Sequence, residues 1–234
     1  MSWPGSEWYE LTAKDLLMQF SKVLESDRII LLDGAIGTEL DKRGLMGRAG
    51  NNLDAPQAVL DIQREYAACG CDALTTNTLT MNRINIETVF DLREAISALR
   101  ACKENFSLPV IVSIAFSTEE KGGRTIMGDS AEQCAKSLTD AGADVVGANC
   151  GDLDPARMAV VVSLLKSATT LPVLVQPNAG RPKLVGDKTV FEMAPGPFAA
   201  GIAECIGAGA RLVGGCCGTS PEHIRAVAGM LEQK

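Results

Sequence analysis

The chain alternates short apolar segments with longer segments whose apolar residues recur at helical spacing, and this alternation constrains the fold more than any other feature. The predicted strands cover residues 28–34, 72–78, 83–88, 109–115, 144–150, 172–177 and 210–215, and the predicted helices cover residues 11–25, 58–69, 91–105, 130–141, 155–168, 196–207 and 221–232. Successive strands joined through helices pair in parallel, because the helix returns the chain to the same end of the sheet, and such crossovers are right-handed. The pattern therefore predicts an α/β fold, either a closed barrel or an open doubly wound sheet.

The ends of the predicted strands favour the barrel. Nearly every strand ends in polar or reactive residues, as at Asp33, Asn77 and Cys150, and barrel active sites are assembled from many strand ends. The first strand is not followed by the glycine fingerprint of dinucleotide-binding sheets. We therefore predict a TIM-type β/α barrel in which seven strands are recognisable, so that one β/α unit of the usual barrel is lacking.

Composition bounds the domain organisation. The 234 residues are 46% hydrophobic, which suffices for one sizeable core, and no change of composition or low-complexity linker divides them. We predict an N-terminal extension with a helix over residues 1–27 and a barrel domain over residues 28–234.

Charge and hydrophobicity exclude several classes of partner. A formal net charge of −7 without a basic run argues against nucleic acid or an anionic membrane as the main partner. The chain contains no apolar stretch long enough to span a bilayer, and its start does not resemble a secretion signal. We expect a cytoplasmic protein that acts on a small molecule.

Three of the eight cysteines stand at strand ends beside glycines. Cys150 ends one predicted strand, and Cys216 and Cys217 end another. Zinc prefers thiolates in a tetrahedral array, and a site with three protein ligands keeps its fourth position for water or substrate. Neighbouring residues of a regular strand point to opposite faces, so Cys216 and Cys217 share an ion only if the backbone turns there.

The alternative for any single cysteine is a small buried apolar residue, since free cysteine is among the most buried residue types. This interpretation is preferred for the cysteines that lie in or at the ends of predicted helices, namely Cys69, Cys71, Cys102, Cys134 and Cys205. His223, the lone histidine, follows Pro221 at the start of the last helix, where a capping or solvated role is more common than metal ligation.

Several strings of residues carry a resemblance to a known family. They are Leu-Leu-Asp-Gly-Ala-Ile-Gly-Thr-Glu-Leu at 31–40, Thr-Asn-Thr at 76–78, Ile-Glu-Thr at 86–88, Gly-Ala-Asn-Cys at 147–150, Gln-Pro-Asn-Ala-Gly at 176–180 and Gly-Gly-Cys-Cys-Gly-Thr-Ser-Pro-Glu-His-Ile at 214–224. In this order, from about residue 28 to the end, they resemble the homocysteine S-methyltransferase family.

The resemblance implies a zinc-containing β/α barrel that transfers a methyl group to the sulfur of homocysteine and so forms methionine. It implies that Cys150, Cys216 and Cys217 are the zinc ligands. The substrate residues that it implies are Asp33 and Glu87 for the ammonium group, Gly34, Thr76 and Asn77 for the pocket, and Asn178 near the open position of the metal. From the residues alone, Asp33 also fits a turn residue before a glycine, and Glu87 an exposed strand end.

The methyl donor is not fixed by the resemblance. Members of the family use S-methylmethionine, S-adenosylmethionine, betaine or a methylated corrinoid. The sequence contains no recognisable corrinoid-binding domain, so a corrinoid donor would require a separate protein or a free cofactor.

The sequence departs from the family between residues 82 and 84, where the usual pattern has a further strand, its helix and a long loop. A barrel closes only when strand number and stagger agree. Three repairs are open: a seven-stranded barrel, a substitute element from the N-terminal region, or a partner chain, such as a second copy in a homo-oligomer. Two functional alternatives also stay open, namely methyl transfer to another small thiol or selenol, and a degenerate thiol-binding subunit without turnover.

Overall fold

The computed structural model describes residues 22–24, 26–46, 51–75, 92–105, 108–117, 123–186 and 188–233. Within these ranges the strands are β1 (Ile30–Leu31), β2 (Ile111–Ile114), β3 (Val145–Asn149), β4 (Val173–Gln176), β5 (Lys183–Val185), β6 (Lys188–Val190) and β7 (Ala210–Val213). The helices are α1 (Ile36–Lys42), α2 (Asn51–Asp54), α3 (Pro56–Ala67), α4 (Leu92–Asn105), α5 (Ala131–Asp140), α6 (Pro155–Ala168), α7 (Pro195–Gly207) and α8 (Pro221–Leu231).

Five strands form one parallel sheet in the order β1-β7-β4-β3-β2. The first strand of the chain thus pairs with the last, with Ile30 opposite Leu212. On its other side, Leu32 forms a parallel bridge with Ala73. The predicted α/β class and parallel sheet are confirmed.

Apolar side chains are buried on both faces of this sheet. The larger cluster joins the sheet to the helices and includes Phe198 of α7 and Met158 of α6, both completely buried. The smaller cluster lies on the opposite face, where Val145, Leu174 and Leu212 are 0–3% exposed. It contains no residue of α1 to α8.

Helix starts follow ordinary capping chemistry. Ser130 and Gln133 form a reciprocal capping box at α5, and the side chain of Asp154 accepts the backbone N–H of Arg157 at α6. These caps fix where α5 and α6 begin. The loop between Cys150 and α6 is therefore fixed at its far end by Asp154.

The N-terminal segment is fastened to the last strand. Val23 and Leu24 pack against the smaller cluster, and the guanidinium of Arg211 in β7 donates to the backbone oxygens of Leu24 and Arg28, each at 3.3 Å. The part of the predicted extension that the structure describes therefore lies against the sheet.

The predicted helices from residue 58 onward are confirmed with boundaries within a few residues, as are the strands that became β2, β3, β4 and β7. The strand predicted at 72–78 is reduced to the bridge at Ala73 in the described part, and the strand at 83–88 lies outside the described residues. The helix predicted at 11–25 lies almost entirely outside them as well. Sequence patterns missed α1, α2 and the antiparallel pair β5–β6, because these elements are too short to show a clear period.

No helix in the ranges given above has the length and apolar character needed to cross a membrane.

Candidate metal and thiol site

The ends of four neighbouring strands meet at one edge of the sheet. Asp33 follows β1, Cys150 follows β3, Asn178 follows β4, and the Cys216–Cys217 pair follows β7. Because β1, β7, β4 and β3 are adjacent and parallel, their carboxyl ends share this edge. The structure thus brings together most of the site residues predicted within its described part.

The three cysteine sulfurs converge. The Sγ atoms of Cys150 and Cys217 are 4.0 Å apart, as are those of Cys216 and Cys217, and all three atoms lie within 4.8 Å of one another. Sulfurs bound at about 2.3 Å to a tetrahedral zinc lie roughly 3.8 Å apart. The spacing therefore fits a single zinc ion with small adjustments of the side chains.

An unusual backbone conformation points Cys150 into this cluster. Its φ is 50°, in the left-handed region, and Gly151 follows with a φ of 69°. Such a conformation costs a non-glycine residue about 1–2 kcal/mol and is often found at functional sites. A Cβ on Gly151 would lie 2.0 Å from the carbonyl oxygen of Phe116, so only glycine fits there.

The chain turns sharply at Cys216 and Cys217. The N–H of Cys216 donates to Pro177 O, and the carbonyl of Cys217 accepts from Ala179 N, both at 2.9 Å. The N–H of Thr219 closes the turn by donating to Cys216 O at 3.1 Å. The turn that two consecutive ligands require is therefore present, and it is tied to the end of β4.

The three thiols influence one another's pKa, and negative charge is favoured on Cys150. Hydrogen bonds from Cys216 and Cys217 stabilise the Cys150 thiolate and lower its pKa, and burial opposes them. The same contacts with Cys150 raise the pKa of Cys216 and of Cys217. A cation would displace the shared protons, because thiols bind metals as thiolates.

Asp33 is completely buried. Its Oδ2 accepts the N–H of Thr75 at 2.9 Å, and its Oδ1 lies 3.0 Å from the donating hydroxyl of Thr75. Burial outweighs these hydrogen bonds and raises the pKa of Asp33 to about 6. Thr75 was missed by the sequence analysis, whereas Thr76, Asn77 and Glu87, which were predicted, lie outside the described residues.

Gly34 leaves space rather than contributing a contact. A Cβ there would lie 2.6 Å from Thr219 Oγ1 and 2.9 Å from the hydroxyl of Tyr66. Neither Thr219 nor Tyr66 was predicted, and the signal that could have found Thr219 is its position two residues after the cysteine pair.

Asn178 is 3% exposed. Its Nδ2 donates to Gly151 O at 2.8 Å, whereas its Oδ1 is buried and has no hydrogen-bond partner in the part of the chain that the structure describes. Leaving such an atom unsatisfied costs about 1–3 kcal/mol, so native proteins usually fill the vacancy with an ion, water or ligand. This orphaned oxygen, beside the loop of Cys150, agrees with the thiol set in fitting a bound cation.

His223 has a structural role. Its Nδ1 accepts the N–H of Ser220 at 3.2 Å, so its Nε2 carries the proton and donates to Met193 O at 2.8 Å. Its ring also packs edge-on against Phe198. The capping role is confirmed, with the difference that the side chain is buried.

The remaining cysteines do not join the cluster. Within the described part of the chain, the group of three is the sole arrangement of His, Cys, Asp and Glu that could hold a metal. Burial raises the pKa of Cys71, Cys134 and Cys205 to about 12. These thiols stay protonated at neutral pH.

Comparison with known proteins identifies a family that matches most of the chain. The model of the family described as homocysteine S-methyltransferase matches residues 30–85 and 80–231. The two matched segments meet at the place where the sequence departs from the family pattern.

Methionine synthase of Mycobacterium leprae is 32% identical over 168 residues, which cover 67% of this chain and 14% of that protein. Methionine synthase of Mycobacterium tuberculosis is 31% identical over 204 residues, which cover 82% of this chain and 16% of that protein. The chain thus spans a small part of the length of these curated relatives.

Among solved structures, the homocysteine methyltransferase MmuM from Escherichia coli in its oxidized form is 18% identical and matches with a TM-score of 0.51, covering 88% of this chain and 97% of that one. An archaeal fructose 1,6-bisphosphate aldolase is 16% identical and matches with a TM-score of 0.53, covering 94% of this chain and all of that one. At these identities the likeness concerns the fold alone.

Proposed function

The chain belongs to the homocysteine S-methyltransferase family, and from this premise we propose that it transfers a methyl group to the sulfur of homocysteine, forming methionine, at a zinc ion held by Cys150, Cys216 and Cys217. The observation that carries the proposal is the convergence of three cysteine sulfurs within 4.8 Å at the sheet edge that also holds the buried Asp33.

The donor set suits zinc. Three thiolates at these distances match its preference for sulfur and for tetrahedral geometry, and no fourth His, Cys, Asp or Glu joins the group among the described residues, which would leave a position open for substrate. When bound, zinc supplies positive charge that keeps a coordinated thiol deprotonated and nucleophilic at neutral pH. The side chain of Asn178 contacts the carbonyl oxygen of Gly151, next to Cys150, and its Oδ1, which has no partner among the described residues, would face the substrate position.

Asp33 would bind the ammonium group of homocysteine. A buried ammonium is costly unless it is paired with a carboxylate. Asp33 offers such a carboxyl, and Thr75 orients it through two hydrogen bonds. By resemblance, Glu87 would share the ammonium, with Gly34, Thr76 and Asn77 around it.

The reaction also requires the two reacting groups to be positioned. The sulfur and the donor methyl must be held near contact, in line with the leaving group, and away from water. The rigid turns at Cys150 and Cys216 serve this purpose, and no general base is required during the transfer. The methyl donor would be a small methylated compound or a methylated corrinoid, and turnover with purified components distinguishes the two.

We further propose that the sheet closes into a β/α barrel. The pairing of the first strand with the last supports this proposal. So does the smaller apolar cluster, because its side chains are buried on a sheet face that α1 to α8 do not cover. A curved sheet that closes on itself would bury them against one another.

The function is tested by zinc X-ray absorption of the purified protein with and without homocysteine. We expect three sulfur neighbours and one lighter atom in the free protein, and four sulfurs after homocysteine is added. Stoichiometric zinc with an unchanged sulfur count would disprove thiol activation, and a protein that binds no zinc would disprove the site.

A further inference from the structure

The side chain of Thr219 links the end of β1, which holds Asp33, to the end of β7, which holds Cys216. The proposed function assigns these two strand ends to the ammonium group and the thiol of homocysteine. Thr219 is completely buried. Its hydroxyl donates to the carbonyl oxygen of Cys216 at 2.6 Å and accepts the N–H of Ala35 at 3.0 Å. Ala35 lies two residues after Asp33, so a single hydroxyl joins the turn at Cys216 to the segment that follows Asp33.

Two glycines make room for this hydroxyl. A Cβ on Gly34 or on Gly215 would lie 2.6 Å from Thr219 Oγ1. The first glycine follows Asp33, and the second precedes Cys216. Thr219 is therefore wedged between the two segments, and its side chain determines how closely they approach.

Tyr66 supports the same junction from the core. Its hydroxyl lies 3.3 Å from the carbonyl oxygens of both Ala35 and Thr219. The backbone adds one direct link, from Gly215 N to Asp33 O at 3.0 Å. The junction is thus a buried network in which Thr219 supplies a direct side-chain contact to Cys216.

We propose that Thr219 is a positioning residue that sets the spacing between the carboxyl of Asp33 and the thiols of Cys216 and Cys217. The inference rests on the proposed function. A ligand held at both its thiol and its ammonium group depends on this spacing, whereas a ligand held by its thiol alone does not. Thr219 would therefore favour thiols that carry an ammonium group at the distance found in homocysteine.

The test compares two thiols on the zinc-loaded protein by isothermal titration calorimetry. One is homocysteine, and the other is 4-mercaptobutanoate, which has the same chain without the amino group. In Thr219→Val, which keeps the shape and removes the hydroxyl, we expect homocysteine binding to weaken about tenfold while 4-mercaptobutanoate binding changes less than about twofold. Thr219→Ser, which keeps the hydroxyl, should restore most of the homocysteine affinity.

Thr169→Val is the matched control. Thr169 is also buried, and its hydroxyl accepts the N–H of Leu171 at 3.1 Å and pairs with Thr139 at 2.7 Å, before β4 and so at the other end of the sheet. This variant should leave the ratio of the two affinities unchanged, and thermal unfolding of both variants measures any general loss of stability.

The outcomes separate the inference from the function on which it rests. A wild-type preference for homocysteine that survives in Thr219→Val, or an equal weakening of both thiols, would overturn the role of Thr219 alone. If wild-type protein binds the two thiols equally well, the proposed ammonium site at Asp33 fails, and if it binds neither, the proposed thiol site fails. The inference fails in both cases.

Discussion

The two ends of the parallel sheet use the same residue types in opposite ways. At the amino ends of the strands, aspartates are fully engaged with the chain itself. Asp72 accepts the N–H of Leu31 at 2.9 Å and pairs with Arg28 at 2.7 Å. Asp144 similarly accepts the N–H of Val110 at 2.6 Å and pairs with a lysine.

At the carboxyl ends three features cost stability. Asp33 is buried with a raised pKa, Asn178 keeps an oxygen without a hydrogen-bond partner among the described residues, and Cys150 has a left-handed backbone conformation. Such costs are common at functional sites. We infer that the polar groups at the amino ends stabilise the fold, whereas those at the carboxyl ends are arranged to bind a ligand.

The largest expected effect concerns the thiols. Cys216→Ser should weaken zinc binding by at least about a hundredfold, since even residues behind the ligands commonly contribute 10–100-fold to metal affinity. Competition with a chromophoric chelator measures the change. Cys102→Ser is the control, because Cys102 lies in α4 outside the cluster, and it should bind zinc like the wild type. Equal zinc affinity in both variants would remove Cys216 from the ligand set.

Glycine substitutions compare the two ends directly. Gly151→Ala should lower the free energy of unfolding by roughly 3 kcal/mol or more, because its Cβ would collide with Phe116 O in addition to the left-handed strain. Gly142 has a φ of +94° before β3, and a Cβ there meets no atom within 4 Å, so Gly142→Ala should cost only about 1 kcal/mol. Denaturant unfolding of both variants tests this difference, and equal costs would show that the Cys150 loop relaxes freely.

Sequence patterns predicted the strand ends better than the links between them. The glycine-flanked cysteines and the Asp33–Gly34 pair stood out because reactive residues ended apolar runs. Thr75, Thr219 and Tyr66 did not stand out, since threonine and tyrosine in such positions are ordinary in strands, turns and helices. Their contacts join residues far apart in sequence, as Ala35 and Thr219 are, and a single sequence contains no signal for such a contact.

The length of each element explains which parts of the fold could be predicted. Helices α3 to α8 were recognisable because their apolar residues repeat over at least ten positions. The α1 helix has seven residues and the β5 and β6 strands three each, so the period is not repeated often enough to be seen. Gly186 between β5 and β6, with a φ of +60°, was the available turn signal.

Asp33 makes stability depend on pH in a direction that can be checked. Its pKa rises from 3.8 to about 6 on folding, so the folded state holds a proton that the unfolded state releases. The free energy of unfolding contributed by this proton is fully present below pH 3.8 and is lost as the pH rises through about 6. Its total is at most about 3 kcal/mol.

We therefore expect Asp33→Asn to be more stable than the wild type at pH 8 and to lose this pH dependence, while homocysteine binding is abolished. Urea unfolding of the ligand-free proteins between pH 5 and pH 8 measures both stabilities. If the stability of the wild type does not fall over this range relative to the variant, the pKa of Asp33 is not raised in the ligand-free protein.

The smallest expected effect lies at the amino ends. The side chain of Arg28 is 57% exposed, and exposed ion pairs contribute about 0.2–1 kcal/mol, so Arg28→Ala should change the free energy of unfolding within that range. Asp72→Ala should cost more, by about 1–2 kcal/mol, because it also leaves the buried N–H of Leu31 without its acceptor. Urea unfolding at low and high salt separates the two contributions, since salt screens the ion pair and leaves the backbone hydrogen bond intact. If the two variants cost the same at high salt, the aspartate acts only as a surface charge, and the two ends of the sheet differ less than their hydrogen bonds indicate.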